Sequence, residues 1–430
     1  MSDNTTPDAG TTSASNLASI LAPLPYHRAI VDYLKTSEAE LWQWFSSTAF
    51  REEYAATTRL ELLKSCYRFD PADHADLYGM VDQVRRRLGL EAPVTLYQSQ
   101  SAEGMNAGLC YIPGEVHLVL VGPVRTTLSV DEQRAIVAHE LAHYLLWERQ
   151  EGELLVADQL LSAMASHARA EPSHLESARL YRLYLEVHCD RAALAVSPDP
   201  LVAISSLIKI QTGIADAQAE SYLRQSEEIF GQAQVTTETL THPECFVRAR
   251  ALKLWADGGD AAEAEIGRMI EGSLELARLS LLTQQRLTDT TRRLLERCLK
   301  PAWLQTESLL AHARLFFTDF DPASGVTAAT VHLTPDTTSG ATLDEDVAGA
   351  TDSVQQYLCY VLLDLATIDR SLEDAPLAAA VGLSEELGIA DQFLALAGEE
   401  LELSKRALTR LRKDSAKIVA NAAAAGPATS

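Results

Sequence analysis

The stretch that decides the reading of this chain is Ser129–Glu148, SVDEQRAIVAHELAHYLLWE. Ser129 followed three residues later by Glu132 is a capping box, which predicts a helix starting at Val130 and running to about Trp147. Inside that helix stand His139, Glu140, Leu141, Ala142 and His143, an HExxH. Four residues are about one turn, so the two imidazoles leave the same face and can chelate one metal ion. Glu140 lies one step round that face, where a carboxylate can take a proton from a bound water. Ala135, Ile136, Val137, Ala138, Leu141, Ala142, Tyr144, Leu145 and Leu146 make the helix apolar almost all round, which predicts burial. Two imidazoles and a carboxylate inside a buried helix need compensation, and a metal supplies it.

A hydrolytic zinc takes a third protein ligand and leaves one position for water. Downstream, Glu186-Val187-His188-Cys189-Asp190 falls on a second expected helix, Ser173–Ala195. Glu186 and Asp190 are one turn apart, so one can ligate while the other orients a ligand histidine. His188 and Cys189 compete for the ligand position. His188 points roughly 160° away from the face of Asp190, so Glu186 is preferred.

Outward from this centre, Val94–Gln98 reads as a strand, and Asn106–Ile112 with Glu115–Val121 reads as a hairpin around Pro113-Gly114. The rest is helical, including Pro200–Thr212, Ala215–Gly231, Pro243–Trp255 and a long Ala261–Leu299. The expected fold is therefore α+β and mostly α-helical. Six regions are expected: a disordered leader over 1–16, an N-terminal helical region over 17–70 and a domain built around the HExxH helix over 71–300. A connecting segment and acidic linker over 301–353, a C-terminal helical domain over 354–416 and a flexible tail over 417–430 complete the chain. The linker reading rests on residues 335–353, with five acids and no Lys or Arg.

The ordered set of motifs resembles the HtpX-like and CAAX-prenyl-protease-like family of gluzincin zinc metallopeptidases over roughly residues 70–255. Asn106-Ala107 opens a strand pair, HExxH follows, ExxxD comes next as Glu186 and Asp190, and Thr241-His242-Pro243 leads to Arg248. The resemblance implies a zincin-type domain holding one Zn2+ on His139, His143 and Glu186, with Glu140 as base and Asp190 supporting the ligands. It also implies that His242 and Arg248 stand near the tetrahedral intermediate, where donors stabilise developing oxyanion charge. Familiar members of the family are integral membrane proteases, whereas no apolar stretch here approaches the ~20 residues of a spanning helix. After residue 354, Asp369 and Leu387-Gly388-Ile389 resemble TerB-like helical domains, although Arg370 stands where those usually have glycine. That domain is assigned to regulation, assembly or the docking of a regulatory protein partner rather than to catalysis.

Zincins commonly hold an extended peptide as an added strand on the sheet edge. Glu115–Val121 is the expected edge, with Glu115, Val116, His117 and Leu118 along the substrate and Asn106 bonding its backbone. The expected partner is a protein or peptide substrate. Lys and Arg number 36 against 60 Asp and Glu, a net charge of −24. Such a polyanion repels nucleic acid and anionic lipid. With six scattered cysteines without CxxC, and no Lys or Arg before Arg28, the expected compartment is the cytoplasm. The reading is a soluble zinc endopeptidase, and the alternative is a latent or non-catalytic zinc-stabilised scaffold that needs a partner for activation.

Overall fold

The computed structural model describes residues 17–18, 20–101, 104–197, 199–231, 245–322 and 342–425. The leader 1–16 and His242 lie outside the described residues. The architecture is mostly helical with one four-stranded sheet, and the chain divides into two compact units between Glu271 and Gly272.

In the first unit, α1 (Pro25–Ser37), α2 (Ala39–Phe45) and α3 (Thr48–Ser65) precede β1 (Cys66–Arg68). Then come α4 (Ala75–Arg87), β2 (Val94–Ser99), β3 (Asn106–Ile112) and β4 (Glu115–Val121). The long helices α5 (Val130–Glu148), α6 (Glu153–Ser166) and α7 (Pro172–Val196) follow. The unit closes with α8 (Pro200–Thr212), α9 (Ala219–Gly231), α10 (Cys245–Gly258) and α11 (Glu263–Glu271).

The sheet order is β1-β2-β4-β3. The hairpin β3–β4 turns at Gly114, whose φ of 78° suits a residue without Cβ. β4 runs parallel to β2 and antiparallel to β3, so both its edges are paired. The expectation that Glu115–Val121 is the open edge is therefore corrected: β3 is the edge strand, and among the described residues no strand pairs with its outer side. A tight hairpin shows that two strands are neighbours, but not which of them abuts the previous strand. β1, at the opposite edge, is a short strand at the end of the stretch expected to be helical.

Successive side chains of β3 and β4 point to opposite faces. Val116 and Leu118 are buried on the face that carries Tyr111, whose ring contacts Tyr144 and Trp147 of α5. Glu115 and His117 fall on the other face. There Glu115 pairs with Arg59 of α3 at 3.1 Å, and His117 bridges Tyr97 (3.2 Å) and Glu115 (3.0 Å). His117 is a satisfied strand residue on the side away from α5, and its neighbour Glu115 shares that side.

Helix α5 starts as expected. Ser129 Oγ accepts from Glu132 N–H, and Glu132 accepts from the Ser129 backbone at 2.8 Å. Glu132 is itself buried because its other oxygen accepts from Ser205 and pairs with Lys209 at 2.7 Å, tying α5 to α8. Leu141, Ala142 and Leu146 are fully enclosed, and α5 packs along α7. Each leucine contributes about 1.5–3 kcal/mol of transfer free energy. The expected continuous helix Ala261–Leu299 is broken: α11 ends at Gly272, with φ 67°, and a new helix is capped by Ser280.

The second unit contains α12 (Leu281–Cys298), α13 (Glu307–Phe316), α14 (Leu343–Ala348) and α15 (Asp352–Ile368). α16 (Ala375–Glu386), α17 (Ala390–Glu400) and α18 (Lys405–Ala425) complete it. Val354, Leu358, Leu362, Val381 and Phe393 are buried in its core. The described part of the acidic stretch is ordered structure rather than a linker. Thr342 caps α14 through a capping box, and buried Asp346 is held by Arg286 at 2.6 Å and by Arg293. A carboxylate between two guanidiniums can be buried, and composition alone did not show those partners. Pro376 sits in the first turn of α16, where a missing N–H costs nothing. α18 continues through alanines to Ala425, past the expected end at 416.

Candidate metal centre

His139 and His143 sit one turn apart on α5, with Nε2 atoms 3.1 Å from each other. α7 brings Glu186 against them: Oε2 lies 3.5 Å from His139 Nε2 and Oε1 lies 3.5 Å from His143 Nε2. Ligands about 2.0–2.1 Å from a tetrahedral ion stand about 3.3–3.4 Å from one another. The three separations are of that size, so these residues fit a single small cation. Among the described residues this is the one group of three His, Cys, Asp or Glu side chains able to share a metal ion.

The electrostatics fit as well. Burial pulls the His143 imidazole down to about 4, leaving it neutral with a lone pair. Burial would raise Glu186, but Arg248 and the two imidazoles outweigh it and hold the carboxylate well below its ordinary range. Burial also opposes charge on His139, yet Asp190 and Glu186 overcome it and lift that imidazole to about 10. Asp190 Oδ1 lies 2.9 Å from His139 Nδ1, so Nδ1 carries the hydrogen and Nε2, which faces His143 and Glu186, is the nitrogen that could ligate.

Arg248, on α10, lies half-buried behind the carboxylates. Its Nε and Nη2 donate to Asp190, each at 2.7 Å, and Nη1 meets Glu186 Oε2 at 2.9 Å. The family resemblance implies Arg248 near the tetrahedral intermediate. The structure gives its guanidinium to the two carboxylates, where it offsets their charge and fixes their direction. Burial would raise Asp190 too, and Arg248 keeps it ionised.

Glu140 is buried beside this cluster and accepts a hydrogen bond from the backbone of Leu109 on β3. Its burial, helped by Glu186, raises the carboxyl to about 7 despite nearby His139. Asn106 starts the edge strand, exposed, with Oδ1 accepting from Ala107 N–H. Val116 and Leu118 are core residues of the central strand. Of the competing ligands, His188 turns away and packs edge-on against His27, with centroids 5.9 Å apart, and Cys189 is buried outside the cluster.

Two participants went unread in the sequence. Trp147 lies 5.4 Å, centroid to centroid, from His143 and continues the 139–143–147 face, a spacing that was available as a signal. Leu109 acts through its backbone and leaves no residue-type signal.

Against known proteins, no family model matches the chain, and no solved structure matches it. A curated relative does: the plastoglobule-localized metallopeptidase 48 of the chloroplast of Arabidopsis thaliana is 32% identical over 201 residues. That alignment covers 42% of this chain, which spans 57% of the length of the relative. The chain is thus similar to a metallopeptidase over a limited part, and it has a His-His-Glu cluster that can bind a metal. No helix among the described residues is long and apolar enough to cross a membrane.

Proposed function

We propose that this protein is a zinc metalloendopeptidase of the gluzincin type, with a zincin-like catalytic domain similar to the HtpX-like peptidases. The observation that carries the reading is the convergence of His139, His143 and Glu186 beside a buried carboxyl, Glu140, raised to about 7. His139, His143 and Glu186 would hold the zinc; when bound, it would polarise a carbonyl and make water acidic enough to attack near neutral pH. Asp190 holds His139 in the Nδ1–H form, and Arg248 anchors Asp190 and Glu186. Glu140 would accept the proton of the attacking water and pass it to the leaving amine. His242 is proposed as an oxyanion donor from the family resemblance alone.

The substrate is proposed to be a polypeptide lying as an added strand along the outer edge of β3, where Asn106 and the Leu109 neighbourhood offer backbone contacts. This moves the binding strand from Glu115–Leu118 to β3. The C-terminal unit, with Asp369 and the Leu387-Gly388-Ile389 turn, is proposed as a TerB-like module that docks a regulatory protein. Six unpaired thiols are in keeping with a reducing, cytoplasm-like compartment.

The test is zinc content and proteolysis of an unstructured protein such as casein. We expect about one zinc per chain, cleavage that stops with a chelator and returns with zinc, and a Glu140→Gln protein that keeps its metal but loses turnover by about a hundredfold or more. Unchanged turnover in Glu140→Gln removes the assignment of the base.

A further inference from the structure

A cavity of about 220 Å³ opens where the end of the edge strand meets the start of α6. Tyr111 and Pro113 line it from the strand side, Glu148 and Glu151 from the end of α5 and the turn after it, and Leu155 and Gln159 from α6. We propose that this cavity is a substrate subsite that takes the side chain of a lysine or arginine near the scissile bond. The inference rests on the peptidase reading above and names the polypeptides it favours.

Position comes first. Tyr111 lies on β3, the strand with the open edge, and contacts Trp147, which in turn contacts His143. The cavity is thus two ring contacts from the metal cluster. An extended peptide advances about 3.3 Å per residue, so a chain along β3 would bring a residue two or three places from the cleaved bond over the opening.

Chemistry comes second. Among the described residues that line the cavity, the two charged ones, Glu148 and Glu151, are both carboxylates. Glu148 is held rather than swinging freely. Tyr111 Oη donates to its Oε1 at 2.7 Å, and Tyr144 also bonds it. An ionised carboxylate accepts about four hydrogen bonds, so these two phenols leave capacity for an ammonium or guanidinium. Tyr111, Pro113 and Leu155 supply apolar wall for the methylene stem that such a side chain buries while its head meets the acids. A lysine or arginine side chain also fits the volume, and the −24 charge of the whole chain draws cationic substrates.

The experiment uses the full-length zinc-loaded protein and a diverse peptide library, with cut sites read by mass spectrometry. Lys and Arg should be enriched at one fixed position within about three residues of the cut. In matched peptides, the ratio of kcat/KM for lysine over norleucine at that position should fall about five- to tenfold in Glu148→Gln/Glu151→Gln. Cuts with no basic preference, or a ratio the double variant does not move, overturn the subsite. A binding arm separates this from the peptidase reading: fluorescence anisotropy of the same matched peptides on zinc-loaded Glu140→Gln, with and without the two Glu→Gln changes. If no peptide is cut but lysine still binds over norleucine and the preference collapses in the variant, the peptidase reading falls and the subsite stands. Equal binding in that arm together with no cleavage overturns both.

Discussion

Asp190 serves two partners at once: it fixes the tautomer of His139 and accepts two hydrogen bonds from Arg248. Removing one member of a buried charged set leaves the others uncompensated, at about 3–5 kcal/mol. Asp190→Ala is therefore expected to lower the denaturation midpoint strongly and to weaken zinc retention, measured by urea melts and by metal content after dialysis. Glu140 gives a pH prediction with a definite sign. Its folded value of about 7 lies above the ordinary 4.5, so its protonated form contributes stability that is complete below about 4.5 and is lost as pH rises through 7. In the metal-free protein, Glu140→Gln should gain on the parent by roughly 1–3 kcal/mol between pH 5 and 8. Thermal melts in chelator would show it, and parallel curves would remove Glu140 as a raised carboxyl.

Among the elements, α5 does most to place the centre, and its start and interior were legible from the capping box and the apolar flanks. Leu141→Ala, at a site with no exposure, should cost about 2–5 kcal/mol. Ser129→Ala should cost only about 0.5–2 kcal/mol, because it removes a single cap. Comparing the two midpoints checks the ranking. Three of the four strand ranges were equally legible, since alternation and Pro113-Gly114 mark them locally, whereas β1 fell in a stretch expected to be helical. What periodicity could not supply was the lateral order of the sheet, a long-range fact that decides whether β3 or β4 faces a substrate. The partner of Arg248 was hidden for the same reason: a lone arginine says nothing of two carboxylates on another helix. Composition likewise misread the acids before α15, because Arg286 and Arg293 lie some sixty and fifty residues from Asp346 along the chain.

At the scale of the whole molecule, the division at Gly272 separates the proposed chemistry from the helical C-terminal unit. Each unit has buried residues enough for its own core. A fragment spanning 272–430 is expected to give a cooperative thermal transition and helical circular dichroism on its own. A featureless melt would show that it depends on the rest of the chain. Chelation should then shift a transition of the first unit alone, since binding to the native state stabilises only what it touches.

The guanidinium behind the ligands also sets an ionic balance. Glu140, Glu186 and Asp190 can carry three negative charges, while Arg248 carries one positive, leaving a deficit of two when both imidazoles are neutral. A dication would offset that deficit with Glu140 ionised, the state that the proposed base needs. An alkali ion would leave surplus anion in a dry interior, and a trivalent one surplus cation. The placement of a single arginine thus tells this centre which oxidation states of a metal it can comfortably accept.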